Sequence, residues 1–128
     1  MKALHDTHAL LWFALDDSRL SSPARSMIAE PDNDLLVSSA TFWEIAIKVS
    51  IGKYVIDEEL SAFFDRQMAV NDFTLLPITS KHAAAVASLP FHHRDPFDRM
   101  LIAQAIVEQV SVLSNDRAFD MYPVHRIW

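Results

Sequence analysis

Short apolar strands that alternate with helical segments constrain the fold of this chain more than any other feature. Periodicity and flanking turn residues predict five short strands, at residues 2–5, 35–38, 73–76, 110–114 and 124–127; the first should be buried, the fourth half-buried and the last an edge strand. Strands separated by helices are joined by crossovers, which give parallel pairing and leave helices on both faces of the sheet. The alternation therefore predicts an α/β fold with a central, mainly parallel sheet of four to five short strands.

A helix predicted from residue 96 to about residue 109 carries a dense group of polar side chains at its start. Asp95 suits the N-cap, and Pro96 suits the first helical position, where its missing N–H costs nothing. Asp98 follows in the first turn, with two histidines and two arginines nearby. Because the rest of the helix is apolar on most faces, it should lie in the core. Polar groups at the N-terminal end of a buried helix indicate a functional site. Two acids at that position are, however, also ordinary helix-capping residues.

The other helices are predicted from capping residues and apolar spacing. Asp6 precedes the first helix, and Ser22 is placed at the N-cap of the second. Thr41 begins a third helix, forms a capping-box pattern with Glu44 three residues later, and is followed at the far end by Gly52, the only glycine. The predicted ranges are residues 7–15, 22–30, 41–51, 57–70 and 79–88.

The absence of cysteine narrows the chemistry that this chain can perform. It excludes disulfides, thiolate nucleophiles and cysteine-bound zinc, so any metal must be held by oxygen or imidazole. The histidines show no zinc-ligand spacing, and a single glycine cannot form a phosphate-binding loop. A phosphoaspartyl enzyme could use Asp6 as its nucleophile, but residue 8 is His rather than a second acid.

Length, charge and hydropathy set further limits. The 128 residues suffice for one domain, covering residues 1–128, and are too few for two of ordinary size. A formal net charge of −6 argues against a broad basic face for polyanions, but not against a nuclease whose bound cation restores positive charge locally. The apolar runs are far shorter than the about 20 residues of a membrane span. We therefore expect a soluble cytoplasmic protein.

Four carboxylates are predicted to meet at one edge of the sheet. Asp6 and Asp116 follow the first and fourth strands, while Glu44 and Asp98 lie in the first turns of helices that begin near the same edge. Ligands of α/β sheets bind at the carboxyl ends of strands near the topological switch point. Each acid alone could be a helix cap, but caps need not gather on one side of a sheet. Carboxylates together suit Mg²⁺ or Mn²⁺, which can generate hydroxide and stabilise charge in phosphodiester hydrolysis.

Several segments together resemble the PIN-domain ribonucleases, specifically the VapC-like toxins of type II toxin–antitoxin modules in bacteria and archaea. They are Leu4-His5-Asp6-Thr7-His8, Trp43-Glu44-Ile45-Ala46-Ile47-Lys48, His93-Arg94-Asp95-Pro96-Phe97-Asp98-Arg99 with Leu101-Ile102-Ala103-Gln104-Ala105, and Ser114-Asn115-Asp116. The third segment is typical of a His-Arg-Asp-Pro-Phe-Asp-Arg subgroup. The likeness spans almost the whole chain and implies a PIN-like three-layer α/β/α sandwich. One departure is Val110, where many relatives carry Gly after the long helix.

The resemblance implies an endoribonuclease that depends on Mg²⁺, with Mn²⁺ as a substitute. Its catalytic residues and metal ligands would be Asp6, Glu44, Asp98 and Asp116. Ser114 stands where a Thr or Ser often supports the metal site, and we assign Asp95 and Thr7 to the same supporting role. The implied partners are an RNA substrate, a cognate antitoxin and a second toxin copy in a homodimer or a higher toxin–antitoxin assembly.

Three arginines flank the acidic residues in sequence and are expected to contact RNA phosphates through their planar guanidinium groups: Arg94, Arg99 and Arg117. Lys48 lies four residues after Glu44 and is expected to be its helical ion-pair partner. The alternative hypothesis is a non-catalytic PIN-like interaction domain, in which the carboxylates cap helices and the surface binds only a protein partner. Metal-dependent RNA cleavage separates the two hypotheses.

Overall fold

A five-stranded parallel sheet forms the centre of the computed structural model, which describes residues 1–128. The strands are β1 (Lys2–His5), β2 (Asp34–Ser38), β3 (Thr74–Leu76), β4 (Ser111–Leu113) and β5 (Arg126–Ile127). Every neighbouring pair is parallel, and the order across the sheet is β3-β2-β1-β4-β5. The predicted α/β class and parallel sheet are confirmed, and β5 is an edge strand as expected.

Six α-helices cover the two faces of the sheet. They are α1 (Thr7–Ala14), α2 (Ser22–Ala29), α3 (Ser39–Ser50), α4 (Leu60–Val70), α5 (Ser80–Val86) and α6 (Pro96–Glu108), followed by a 3-10 helix (Arg117–Met121). None of these helices has the length and apolar character needed to cross a membrane.

Alternate residues of β1, β2 and β4 belong to two separate hydrophobic cores. Ala3 of β1 packs with buried residues of α1, α2 and α3, whereas the next residue, Leu4, packs with residues of α6 and with Phe119. On β2, Leu35 and Leu36 divide between the cores in the same way. Because side chains of a strand alternate between the faces of a sheet, the two cores make the structure a three-layer α/β/α sandwich.

Two helices begin earlier than their sequence signals indicate. The hydroxyl of Ser21, not Ser22, caps α2 by accepting the N–H of Ala24. Ser38, not Thr41, caps α3, and its hydroxyl accepts the N–H of Ala40. Thr41 is therefore an internal, buried helical residue that cannot form a capping box with Glu44. The cap explanation for Glu44 is thus wrong.

The switch point of the sheet lies between β1 and β4. From β1 the sheet grows through β2 to β3 in one direction and through β4 to β5 in the other. His5 is in register with Leu113, and the N–H of Asp6 donates to the carbonyl of Leu113 at 2.9 Å. The residues that follow β1 and β4 are consequently adjacent, at the edge where ligands of such sheets bind.

Candidate metal centre

The four acids predicted from the sequence line one pocket of about 100 Å³ at this edge, and no hydrophobic residue contributes to it. Asp6 follows β1, Glu44 lies on α3, Asp98 lies in the first turn of α6, and Asp116 precedes the 3-10 helix. Its lining consists of Asp6, Thr7, His8, Glu44, Lys48, Asp95, Asp98 and Asp116. Four separate elements therefore bring their carboxylates to one place.

Asp6 and Asp116 cap helices and also face the pocket. Oδ1 of Asp6 accepts the N–H of Ala9 at 2.7 Å, and Oδ1 of Asp116 accepts the N–H of Ala118 at 2.9 Å. Each cap uses one oxygen of a carboxylate that has two. Capping and ligand binding are therefore compatible at both residues.

Glu44 is buried and held from two sides. The hydroxyl of Thr7 donates to Oε1 at 2.6 Å, and Nζ of Lys48 donates to Oε2 at 2.5 Å. The Lys48 contact is the predicted pairing across one helical turn. A buried carboxylate is costly unless it is paired and hydrogen-bonded, and these two donors meet that requirement.

Asp95 and Ser114 hold the loops that carry the pocket acids. Oδ1 of Asp95 accepts the N–H groups of Phe97 at 2.8 Å and Asp98 at 3.0 Å, which makes it the N-cap of α6 as predicted. The hydroxyl of Ser114, fully buried, accepts the N–H of Asp116 at 3.0 Å. Both contacts fix backbone next to a pocket carboxylate.

The electrostatics of the pocket oppose ionisation of all its acids at once. Burial, followed by the charges of Asp95, Asp6, Glu44 and Asp116, raises the pKa of Asp98 from 3.8 to about 8. Burial also raises the pKa of Asp6. Carboxylate oxygens are the ligands that Mg²⁺ and Mn²⁺ prefer, and a divalent cation would neutralise the repulsion that raises these pKa values. The donor set therefore fits a hard cation.

His93 lies among these acids, although the sequence analysis assigned it no role in the site. Its Nε2 is 2.8 Å from Oδ2 of Asp116 and 3.1 Å from Oδ2 of Asp98. Ligand atoms of these three residues lie within 4.8 Å of one another. Histidine spacing could not reveal this arrangement, because the irregular loop before α6 places His93. Its position two residues before the N-cap Asp95 was the only local signal.

Arg99 differs from the other two arginines predicted to contact RNA. It is buried, and its guanidinium donates to the carbonyl oxygens of Val86, Leu89, Pro90 and His93. The structure therefore corrects the phosphate assignment for Arg99, which instead holds the loop before α6. Arg94 and Arg117 are exposed and form no ion pair.

An apolar pocket of about 410 Å³ adjoins the acidic one. Trp43, next to Glu44 in sequence, and Phe97, next to Asp98, lie in its wall with their rings edge to face at 5.3 Å. Arg94 also lines it. Neighbouring residues of α3, and likewise of α6, therefore line a charged pocket and an apolar one.

Comparison with known proteins agrees with this architecture. The sequence profile of the PIN domain matches residues 3–124, while a search of curated protein sequences finds no match. The fold is similar to that of a chain in the crystal structure of VapBC2 from Rickettsia felis, which was solved with a DNA fragment from the promoter. The TM-score is 0.72 at 14% sequence identity, and the match covers 98% of this chain and 97% of that chain.

Two further solved structures show the same similarity. A chain of FitAcB from Neisseria gonorrhoeae gives a TM-score of 0.66 at 17% identity, covering 97% of this chain and 95% of that one. A chain of VapBC-1 from nontypeable Haemophilus influenzae gives 0.64 at 14% identity, with coverage of 98% and 96%. At these identities the likeness is one of fold, and the profile match over nearly all of the chain settles the family: this protein belongs to the PIN-domain family.

Proposed function

We propose that this protein is a cytoplasmic, Mg²⁺- or Mn²⁺-dependent endoribonuclease and the toxin of a toxin–antitoxin pair. The observation that carries the proposal is the convergence of Asp6, Glu44, Asp98 and Asp116 in one polar pocket at the switch point of the sheet. Membership of the PIN-domain family and the fold similarity to VapBC structures support it.

The pocket acids would hold the cation, directly or through water. A divalent cation bound there would activate a water molecule and stabilise the charge that develops on an RNA phosphate. Thr7 and Lys48 keep the carboxylate of Glu44 facing the pocket. The exposed Arg94 and Arg117 would contact flanking phosphates. No protein nucleophile is needed, so no covalent RNA–protein intermediate should form.

The test is cleavage of a labelled RNA by purified wild type, Asp6→Asn and Asp98→Asn in Mg²⁺ or Mn²⁺. Both variants should lose cleavage because an amide lacks the charge that holds the cation. Asp6→Asn should keep its fold, since Asn caps helices as well as Asp does. Asp32→Asn is the matched control, because Asp32 is exposed and its side chain has no partner.

Cleavage at the wild-type rate by both folded Asn variants, or equal cleavage by wild type in excess chelator, would contradict the proposal. A non-catalytic PIN-like interaction domain would bind a partner without any metal-dependent cleavage. The proposed partners are a cognate antitoxin and a second toxin copy. Co-expression with the product of a neighbouring small reading frame, followed by light scattering of the purified species, would test both.

A further inference from the structure

His93 is fixed from several directions beside two acids of the pocket, Asp98 and Asp116, although nothing in the proposed chemistry requires it. Its side chain is 13% exposed, and its ring packs edge to face on Phe119 with centroids 5.9 Å apart. Its backbone N–H donates to the hydroxyl of Tyr122 at 2.9 Å. Its Nε2 lies between the Oδ2 atoms of Asp98 and Asp116. Because the ring of His93 is held this firmly beside two of the proposed metal ligands, we infer that it has a role in the site.

The hydrogen bonds of the ring assign its tautomer. The N–H of Asp95 points at Nδ1 of His93 at 3.3 Å, so Nδ1 accepts and carries no proton. The proton is then on Nε2, which donates to Oδ2 of Asp116 and lies 3.1 Å from Oδ2 of Asp98.

This tautomer argues against His93 as a metal ligand. Coordination through Nε2 requires its lone pair, which would move the proton to Nδ1 and set it against the N–H of Asp95. Coordination would also break the two contacts to carboxylate oxygens. His93 is therefore a donor to the acids rather than a further member of the ligand set.

We propose that His93 is a positioning residue, whose Nε2–H holds Asp116 beside Asp98 and within reach of one bound cation; this inference rests on the proposed function. Asp116 needs such a contact most, because its side chain is 43% exposed and otherwise held only by the N–H of Ala118. Partners that orient metal ligands typically contribute about 10- to 100-fold in metal affinity or activity.

The test is Mn²⁺ binding, measured by calorimetry on wild type, His93→Ala, His93→Gln and His92→Ala. His93→Ala should raise the Kd for Mn²⁺ by about 10- to 100-fold. His93→Gln should restore most of the affinity, because its side-chain N–H is as many bonds from Cγ as Nε2 of histidine. His92→Ala is the matched control, since His92 is exposed and contacts only the ring of Tyr122.

Pulsed electron paramagnetic resonance of bound Mn²⁺ should show no coupling to a directly ligated imidazole nitrogen.

Each outcome separates this inference from the proposed function. Wild type that binds no Mn²⁺ overturns both. Wild type that binds Mn²⁺ with the same Kd as folded His93→Ala overturns only the role of His93, as does a nitrogen coupling that His93→Ala abolishes. If His93→Ala does not fold, a Kd of His93→Gln raised as far as that expected for His93→Ala, or a nitrogen coupling that His93→Gln abolishes, overturns the role of His93. Asp116→Asn should also cost less affinity in the His93→Ala background than in wild type if the two residues act together.

Discussion

Burial and the neighbouring acids oppose the ionisation of Asp98. Its pKa of about 8 in the folded chain, against 3.8 ordinarily, means that the folded state keeps a proton that the unfolded state has lost. Stability should therefore fall as pH rises between those values. His5 acts in the opposite sense up to pH 6.5, because burial lowers its pKa from 6.5 to about 4. Above pH 6.5 only the effect of the buried acids remains.

We therefore expect the metal-free protein to lose stability between pH 6.5 and pH 8. One proton over that interval corresponds to on the order of 1–2 kcal/mol in the free energy of unfolding. Urea denaturation in chelator at the two pH values measures the loss, and Asp98→Asn should show much less of it. A free energy that rises with pH in wild type, or an equal loss in Asp98→Asn, would contradict this assignment.

The backbone conformation of Gln109, at the C-terminal end of α6, is unfavourable for a residue with a side chain. Gln109 has a φ of 56°, the left-handed region that favours glycine, and its side chain is exposed. Val110, where many relatives were expected to carry glycine, is instead buried in the core beneath α6. Gln109→Gly should raise the free energy of unfolding by up to about 1 kcal/mol, because glycine adopts this conformation without a Cβ clash. Gln109→Ala, which keeps the Cβ, should bring no gain in the same urea titration. A glycine variant less stable than wild type would be the contrary result.

Helix starts show where local sequence is sufficient and where it is not. The start of α6 was predicted correctly because Asp95 and Pro96 each favour one position in the first turn. The start of α3 was not, because serine and threonine occupy positions 38, 39 and 41 and all can cap. The choice of Ser38 follows from the length of β2, which ends at that residue. The pairing of β2 in the sheet, rather than a capping preference, therefore determines where α3 begins.

The residues of the candidate site also fall into those that the sequence could predict and those that it could not. Asp6, Glu44, Asp98 and Asp116 could be brought together from the sequence, because each lies at a strand end or near the start of a helix at one edge of the sheet. The positions of His93 and Arg99 could not be predicted, because the irregular loop before α6 sets both. That loop is held by the hydrogen bonds of Arg99 to four carbonyl oxygens, contacts that no periodicity records.

At the scale of the whole molecule, the alternation of strands and helices was enough to predict a parallel sheet between two layers of helices. It was not enough to predict the order of the strands. The order β3-β2-β1-β4-β5 depends on which side of β1 each crossover returns to. That choice places Asp6 beside Ser114 and Asp116, so the acidic pocket is a consequence of topology. The same topology concentrates several of the 17 acidic side chains in one pocket of a chain whose net charge is −6.

Because acidic charge is concentrated in one pocket, we expect a bound cation to stabilise the whole fold. Mg²⁺ or Mn²⁺ that binds only the folded chain at 100 times its Kd should add about 2.7 kcal/mol and raise Tm by roughly 10 °C. The rise should be larger at pH 8 than at pH 6.5, because protons compete with the cation for Asp98, whose pKa is about 8. Asp98→Asn should show a smaller rise, whereas Asp32→Asn should match wild type. Calorimetric melting over a metal titration measures all three proteins. A Tm that stays flat to saturating metal in wild type and Asp98→Asn alike would mean that the acids serve the fold only as caps and hydrogen-bond acceptors.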